Sequence, residues 1–494
     1  MKKGFWRFGA IFALLLVFAA CDEVLYEPSL VYEPPAEDVE EIVEVEDVTE
    51  YLATYEAQQE TEPEEETEND EYYQYEAQPY VIEPPAHYFD VFSSGRTRGE
   101  YLYDLDYLYN TLSANFPFFG VIYRLWGVDM HELYFQTRRH FEQISDIRSD
   151  QEFANTVNSR FIAPARGAGH FDMLTGRNLQ IHIEVFSSHV NRPSDQFLYF
   201  LYELDNPATR ALHGLTDNHF APPLPGDGSF VFPTTSNNIE ARIIEPGHIA
   251  YVNILQMNHG TMPLDREKLL EFYHYISNFD HLIIDIRQND GGDTRFFPEL
   301  VIAPNISEPL EYYFYMFIMG GEHNRRLLET WFGPWWNDGL RHTIADGVAA
   351  FVPVHDDLFA RLTYLDPGDA DILDHYWTWH EYIAPSHGDA IFGGKIWLLV
   401  SERNFSASEQ AAAISHQTGF ATLVGQATRG DGIGINPLVL ALPNTGMVVR
   451  YSAIYGVDPL GRNNQEFGTS PHIFNRPNRS ALQTVLELIA EGNY

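Results

Sequence analysis

The chain has 494 residues, with 71 Asp and Glu against 30 Lys and Arg, for a formal charge of −41 at pH 7. A binder of nucleic-acid phosphates needs a basic face, so this balance argues against nucleic acid as a substrate. A single cysteine, Cys21, excludes any disulfide within one chain.

The first 21 residues read as a leader. Met1-Lys2-Lys3 and Arg7 form a basic lead, Ala10 to Ala20 is an apolar core too short for a comfortable membrane span, and Phe18-Ala19-Ala20-Cys21 closes it with small residues. The pattern resembles a bacterial lipoprotein signal, which implies that Cys21 becomes the lipid-modified first residue of the mature protein. The location implied is the bacterial cell envelope, lipid-anchored on the outer side of the cytoplasmic membrane or facing a periplasm. A plain secretory peptide and a short anchor are the competing readings.

Residues 22–87 read as a disordered acidic linker. No Lys or Arg occurs between Arg7 and Arg96, acids crowd in at Glu62 to Glu68, and fragments recur, as in Tyr55-Glu-Ala-Gln58 and Tyr75-Glu-Ala-Gln78. Such a segment cannot bury enough apolar surface to offset its chain entropy. As a flexible tether it would reach on the order of 50 Å.

Helical spacing then predicts an N-terminal helical domain over 88–165, with Leu102, Leu105, Leu108 and Leu112 on one face and Phe135, Phe141 and Ile144 on another. Residues 166–240 read as a β-containing connecting region, opening on Arg166-Gly-Ala-Gly169-His170 and followed by alternating Leu179-x-Ile181-x-Ile183. His170, lifted on a small-residue turn, is a candidate proton acceptor near neutral pH, although a chain with 20 histidines offers accidental candidates. No peptide-binding PDZ pattern is evident here.

A catalytic unit is expected over 241–494, with Ile249 to Ile254 as a first strand and Asp265 to Ile276 as its helix. Leu282-Ile-Ile-Asp285-Ile-Arg287-Gln-Asn289-Asp-Gly291-Gly292 reads as a buried strand ending in a glycine turn, able to aim N–H groups at a ligand. The aromatic stretch with Trp331, Trp335, Trp336, Trp377 and Trp379 reads as packing or as a substrate groove. Gly394 to Val400 is a second buried strand. The run after it, Asn404-Phe405-Ser406-Ala407-Ser408-Glu409-Gln410, turns into a helix. Ser406 there is a candidate nucleophile, because a helix N-terminus favours the charge of a tetrahedral intermediate. Equally, Ser406-x-x-Glu409 has the form of a capping box, which needs no chemistry.

In the order His170, Asp285-x-Arg287-x-Asn289-x-Gly291-Gly292, then Ser406-Ala407-Ser408-Glu409, these segments resemble the tail-specific, or C-terminal processing, serine peptidase family. The resemblance extends to Thr422 to Gly430, Asp458 to Arg462 and Gly468 to Ile473. It implies an α/β fold, the ββα superhelix shared with ClpP and crotonase, preceded by a small helical domain. Where the lysine-dependent branch carries its lysine this chain has Asp431, so it looks more like the tricorn-core branch, whose histidine takes the proton. The implied reaction is peptide-bond cleavage through a Ser406 acyl-enzyme with His170 as base. The implied oxyanion donors are the N–H of Ala407 and one from Gly291-Gly292. For the acid that orients the histidine, the matching slot is Gln465 with Glu466 beside it; Glu466 is the candidate, and a partner elsewhere stays open.

His131-Glu132 and His380-Glu381 begin like a zinc-protease helix, but Phe135 and Ala384 stand where the second histidine belongs. No metal and no cofactor is implied. The expected partners are a protein or peptide substrate and a membrane through Cys21. The alternative from a different class is a non-catalytic peptide- or ligand-binding lipoprotein on the same scaffold.

Overall fold

Spacing of three and four residues brings Leu102, Leu105, Leu108 and Leu112 onto one fully buried stripe of α1 (Arg98–Asn115). Thr97 opens this helix through a reciprocal capping box with Glu100, and Pro117 disfavours helical backbone at Phe116, so the helix stops there. Next come α2 (Phe119–Trp126), closed by the left-handed Gly127, α3 (Met130–Gln143), capped by Asp129, and α4 (Asp150–Val157), capped by Ser149. The computed structural model describes residues 85–187, 195–220, 235–326 and 352–492. The leader with Cys21, most of the acidic linker, and Trp331, Trp335 and Trp336 lie outside these residues. Among the described residues, no helix is long and apolar enough to cross a membrane.

The connecting region is mainly helical. A three-residue strand β1 (Asp172–Leu174) leads into α5 (Gly176–Ser187), α6 (Asp195–Leu204), α7 (Pro207–His213) and α8 (Asp217–Phe220). The alternation Leu179, Ile181, Ile183 suggested a strand, but Leu179 and Ile183 are four apart and buried, whereas Ile181 is 40% exposed. Two periods fit so short a run, and the helical one holds.

Thirteen named strands form three sheets among the described residues. The main sheet holds β2 (Ile239–Glu245), β3 (Ile249–Ile254) and β4 (His281–Asp285), with α9 (Met262–Tyr275) crossing between the last two. The next strands, β5 (Leu310–Ile318), β6 (Val352–Pro353) and β7 (His375–Ile383), belong to an antiparallel sheet of order β12-β5-β7-β6. The main sheet resumes with β8 (Lys395–Val400), α10 (Ala407–Thr418) and β9 (Thr422–Gly425). β10 (Leu438–Ala441) and β11 (Val448–Tyr451) pair with β1, β12 (Ile454–Val457) joins β5, and β13 (Ile473–Phe474) completes the main sheet ahead of α11 (Ala481–Glu491).

The main sheet runs β13-β9-β8-β4-β3-β2 and is parallel except for the β2–β3 hairpin. Both of its faces are apolar, as a covered parallel sheet requires. Ile249, Tyr251, Ile283, Trp397 and Leu399 pack beneath Val485 and Leu488 of α11. The alternate residues Ala250, Val252, Leu282, Ile284 and Leu398 enter the main core with Leu269 and Tyr273 of α9. The carboxyl ends of β4 and β8, neighbours in this sheet, carry the two turns singled out in the sequence. Ligand sites in parallel sheets form at such ends.

Candidate active site

Ser406 sits between β8 and α10 with φ 57° and ψ −127°, a conformation that side chains rarely adopt. Its side chain makes no capping hydrogen bond, so the capping-box reading does not hold. Glu409 is turned inward instead, where its Oε1 accepts from Asn464 Nδ2 and Thr469 Oγ1, each at 2.6 Å.

What holds the serine turn is a buried amide network. Asn404, fully buried, donates Nδ2 to the carbonyls of Ile286 (2.5 Å) and Asn289 (3.0 Å), and its Oδ1 accepts from Ser401 N–H at 2.7 Å. Ser408 Oγ donates to the same Asn289 carbonyl at 2.8 Å. The β8 turn and the β4 turn are thereby joined into one piece. The sequence places both in the Asn404–Gln410 stretch but assigns neither a role, because a buried Asn and a buried Ser carry no pattern of their own.

The glycine turn meets this piece closely. Gly291 has φ 114°, and a Cβ there would stand 2.7 Å from Phe405 O and 2.9 Å from Ser406 Cβ. Its N–H donates to Asn289 Oδ1 at 2.9 Å, so Gly291 is not a free oxyanion donor. The exposed Gly292, φ 135°, follows with its carbonyl-side neighbour Asp293 bonded to Met257 O at 2.6 Å. Neither Gly292 N–H nor Ala407 N–H has a hydrogen-bond partner among the described residues.

His170 meets Phe405 from an earlier loop of the chain. Arg166, Gly167, Gly169 and His170 all take positive φ, which winds the segment into a tight knot ahead of β1. Gly169 N–H donates to Gln465 Oε1 at 2.9 Å, and Gly169 O accepts from Ser452 N–H at 2.6 Å. Pairing of β1 with β11, reinforced by Arg450 on Asp172 at 2.7 Å, fixes the exit. The imidazole packs on the ring of Phe405, the residue before Ser406, with centroids 4.5 Å apart. Its Nδ1 bonds Asp431 Oδ2, and only 11% of the side chain is exposed.

Asp431 is the group the sequence left unassigned. It stands in Gly430-Asp431-Gly432 with φ 55°, 3% exposed, and also accepts from Ser452 Oγ at 3.4 Å. The glycines permit the squeeze: Gly430 faces the Asn464 carbonyl, and Gly432 faces the first turn of α10. Glu466, expected beside the imidazole, instead pairs with Arg124 at 2.7 Å, together with the buried Asp369. A one-residue difference in register decides this, since Gln465 turns toward the histidine loop while Glu466 turns away. Of the two His-Glu pairs, His131 lies on α3 and His380 on β7, so the second is not even helical.

A serine at a strained strand-to-helix turn, an imidazole packed on the ring of the preceding Phe405 and a carboxylate on the imidazole Nδ1 are the kinds of parts a serine hydrolase uses. Residues 248–474 match the profile of peptidase family S41. The chain carries the domain of this tail-specific family and is a serine-type peptidase. No curated protein sequence matches it. Among solved structures it is similar to mature CPAF bound to lactacystin, at 14% identity over 80% of this chain and 98% of that one, with a TM-score of 0.44. A lipoprotein from Streptococcus agalactiae gives 12%, 79%, 96% and 0.37 in the same order. The photosystem II D1 C-terminal processing protease gives 13%, 76%, 93% and 0.35.

Proposed function

We propose that the protein is a membrane-tethered endopeptidase in which Ser406, His170 and Asp431 act as a triad. With Nδ1 bonded to Asp431, the imidazole presents Nε2 as its free acceptor, the tautomer a general base needs. His170 takes the Ser406 proton as the hydroxyl attacks the peptide carbonyl. The imidazolium then returns that proton to the leaving amine, and water hydrolyses the acyl-enzyme by the same route. Ala407 N–H and Gly292 N–H are the donors for the oxyanion; removing one such donor costs ~10²–10³ in rate.

The observation that carries this reading is the His170–Asp431 contact held against Phe405. Its test is hydrolysis of a peptide library by the full chain and by Ser406→Ala, at neutral pH. Cleavage by the first alone is expected; equal cleavage, or none by either, contradicts it. The tether rests on Cys21 and the leader before it. Mass spectrometry of the mature N-terminus is expected to find a diacylglyceryl-modified Cys21, and an intact Met1 or a bare Cys21 thiol would refute it.

A further inference from the structure

In the antiparallel pair β5 and β7, Tyr312 stands opposite Glu381 and Phe314 opposite Trp379. Alternation places Trp379, Glu381 and Ile383 on the inward face of β7, while His380 and Tyr382 are exposed on the other. A carboxylate thus stands among apolar and aromatic side chains. Its Oε1 accepts from Trp379 Nε1 at 2.9 Å, and no cation pairs with it among the described residues.

A cavity of about 360 Å³ opens over this face, with Tyr312, Trp379, Glu381, Thr294, Arg295 and Gln410 among its walls. Two of those walls come from the catalytic turns. Thr294 and Arg295 directly follow Gly292 and Asp293, and Gln410 N–H donates to the Ser406 carbonyl at 2.9 Å. The other charged groups at the rim are engaged. Arg295 bonds Asp293 at 2.7 Å, Glu299 bonds Arg266 at 2.7 Å, and His380 bonds Glu311 at 2.5 Å.

We propose that this cavity receives a lysine or arginine side chain flanking the scissile bond, with Glu381 as the residue that selects it. The proposal rests on the peptidase reading above and adds its substrate class. An uncompensated carboxylate in an apolar cavity is unfavourable until a cation arrives. A Lys or Arg side chain supplies that charge, lays its aliphatic stem along the apolar wall and brings its head to the faces of Tyr312 and Trp379. Burial holds the Glu381 carboxyl above its ordinary range, as expected of a carboxylate still without a cation. The chain's −41 charge also favours encounter with basic peptides.

The test uses matched peptides carrying Lys, norleucine or Glu on either side of one cleavable bond. Binding to the full-length Ser406→Ala protein is read by fluorescence anisotropy, and kcat/KM is read on the wild type. Lys is expected to exceed norleucine by about tenfold or more in binding, and Glu381→Gln in the Ser406→Ala background to bring the ratio near one. Glu381→Lys, checked for folding by its melting curve, is expected to turn the preference toward the Glu peptide. Equal binding of Lys and norleucine peptides, no binding of either, or a Lys preference that survives Glu381→Gln overturns the proposal. Selective binding without any wild-type cleavage would keep the subsite and sink the peptidase mechanism; cleavage indifferent to Lys would do the reverse.

Discussion

His170 Nδ1 and Asp431 Oδ2, from residues 261 apart in sequence, meet in one hydrogen bond behind the imidazole. The position from which a related branch would extend a lysine base here supplies an acid, and in the proposed mechanism the base comes from the earlier His170 loop. Loss of the carboxylate leaves the imidazole free to take the wrong tautomer. Asp431→Asn is therefore expected to lower kcat by about 10³–10⁴-fold with little change in KM, measured on any cleaved peptide. A loss under tenfold would remove Asp431 from the mechanism.

Glu466 is engaged elsewhere. It joins Arg124 and Asp369 in a partly buried ion cluster, in which Tyr455 also donates to Asp369 at 2.5 Å. Glu466→Gln should leave kcat within a few-fold of wild type. Arg124→Ala, which strands the buried Asp369, should cost about 3–5 kcal/mol of stability by denaturant unfolding. A large kcat loss in Glu466→Gln at unchanged stability would restore it as the histidine's acid.

Gly291 has no room for a side chain. With φ 114° and only 2.9 Å between a built Cβ and Ser406 Cβ, Gly291→Ala must shift the serine or the turn. Activity should fall at least ~10²-fold, since small misplacements of reacting groups are that costly, while the far-ultraviolet circular dichroism stays unchanged. Near-normal activity in this variant would show that the two turns do not meet as described.

Glu409 lies fully buried under the site, and burial pushes its carboxyl from 4.5 up to about 7. The native state therefore holds this proton more tightly than the unfolded chain does. Its contribution to stability is complete below about pH 4.5 and is lost as pH rises through about 7, a change on the order of 3 kcal/mol. Glu409→Gln lacks that titration, so its stability relative to wild type should improve between pH 5 and pH 8. Melting curves at the two pH values check the sign; a constant difference would mean Glu409 does not titrate in this window.

The main-sheet strands β3, β4 and β8 and the turns at the ends of β4 and β8 were legible because apolar runs and glycine turns are local signals. Ser406 looked equally like a cap, and only its backbone angles and the inward turn of Glu409 separate the two readings. Asp431 was legible as a residue that cannot be an amine base, but not as the histidine's partner. That contact depends on β1 pairing with β11 and on Ser452 clasping the Gly169 carbonyl, links between distant segments that no short window contains. The N–H of Gly291 is spent on Asn289 for a similar reason: the choice between adjacent glycines is made by a side chain two residues back. In 176–187, a short apolar run with two admissible periods misled, and burial of Leu179 with Ile183 settled it.

The central claim, that Ser406 is a nucleophile activated by His170, is tested most directly by a fluorophosphonate probe with mapping of the labelled peptide. The account predicts a single adduct on Ser406 in the wild type, none in Ser406→Ala, and labelling slowed by orders of magnitude in His170→Ala. Labelling of another residue, or an undiminished rate in His170→Ala, would contradict it.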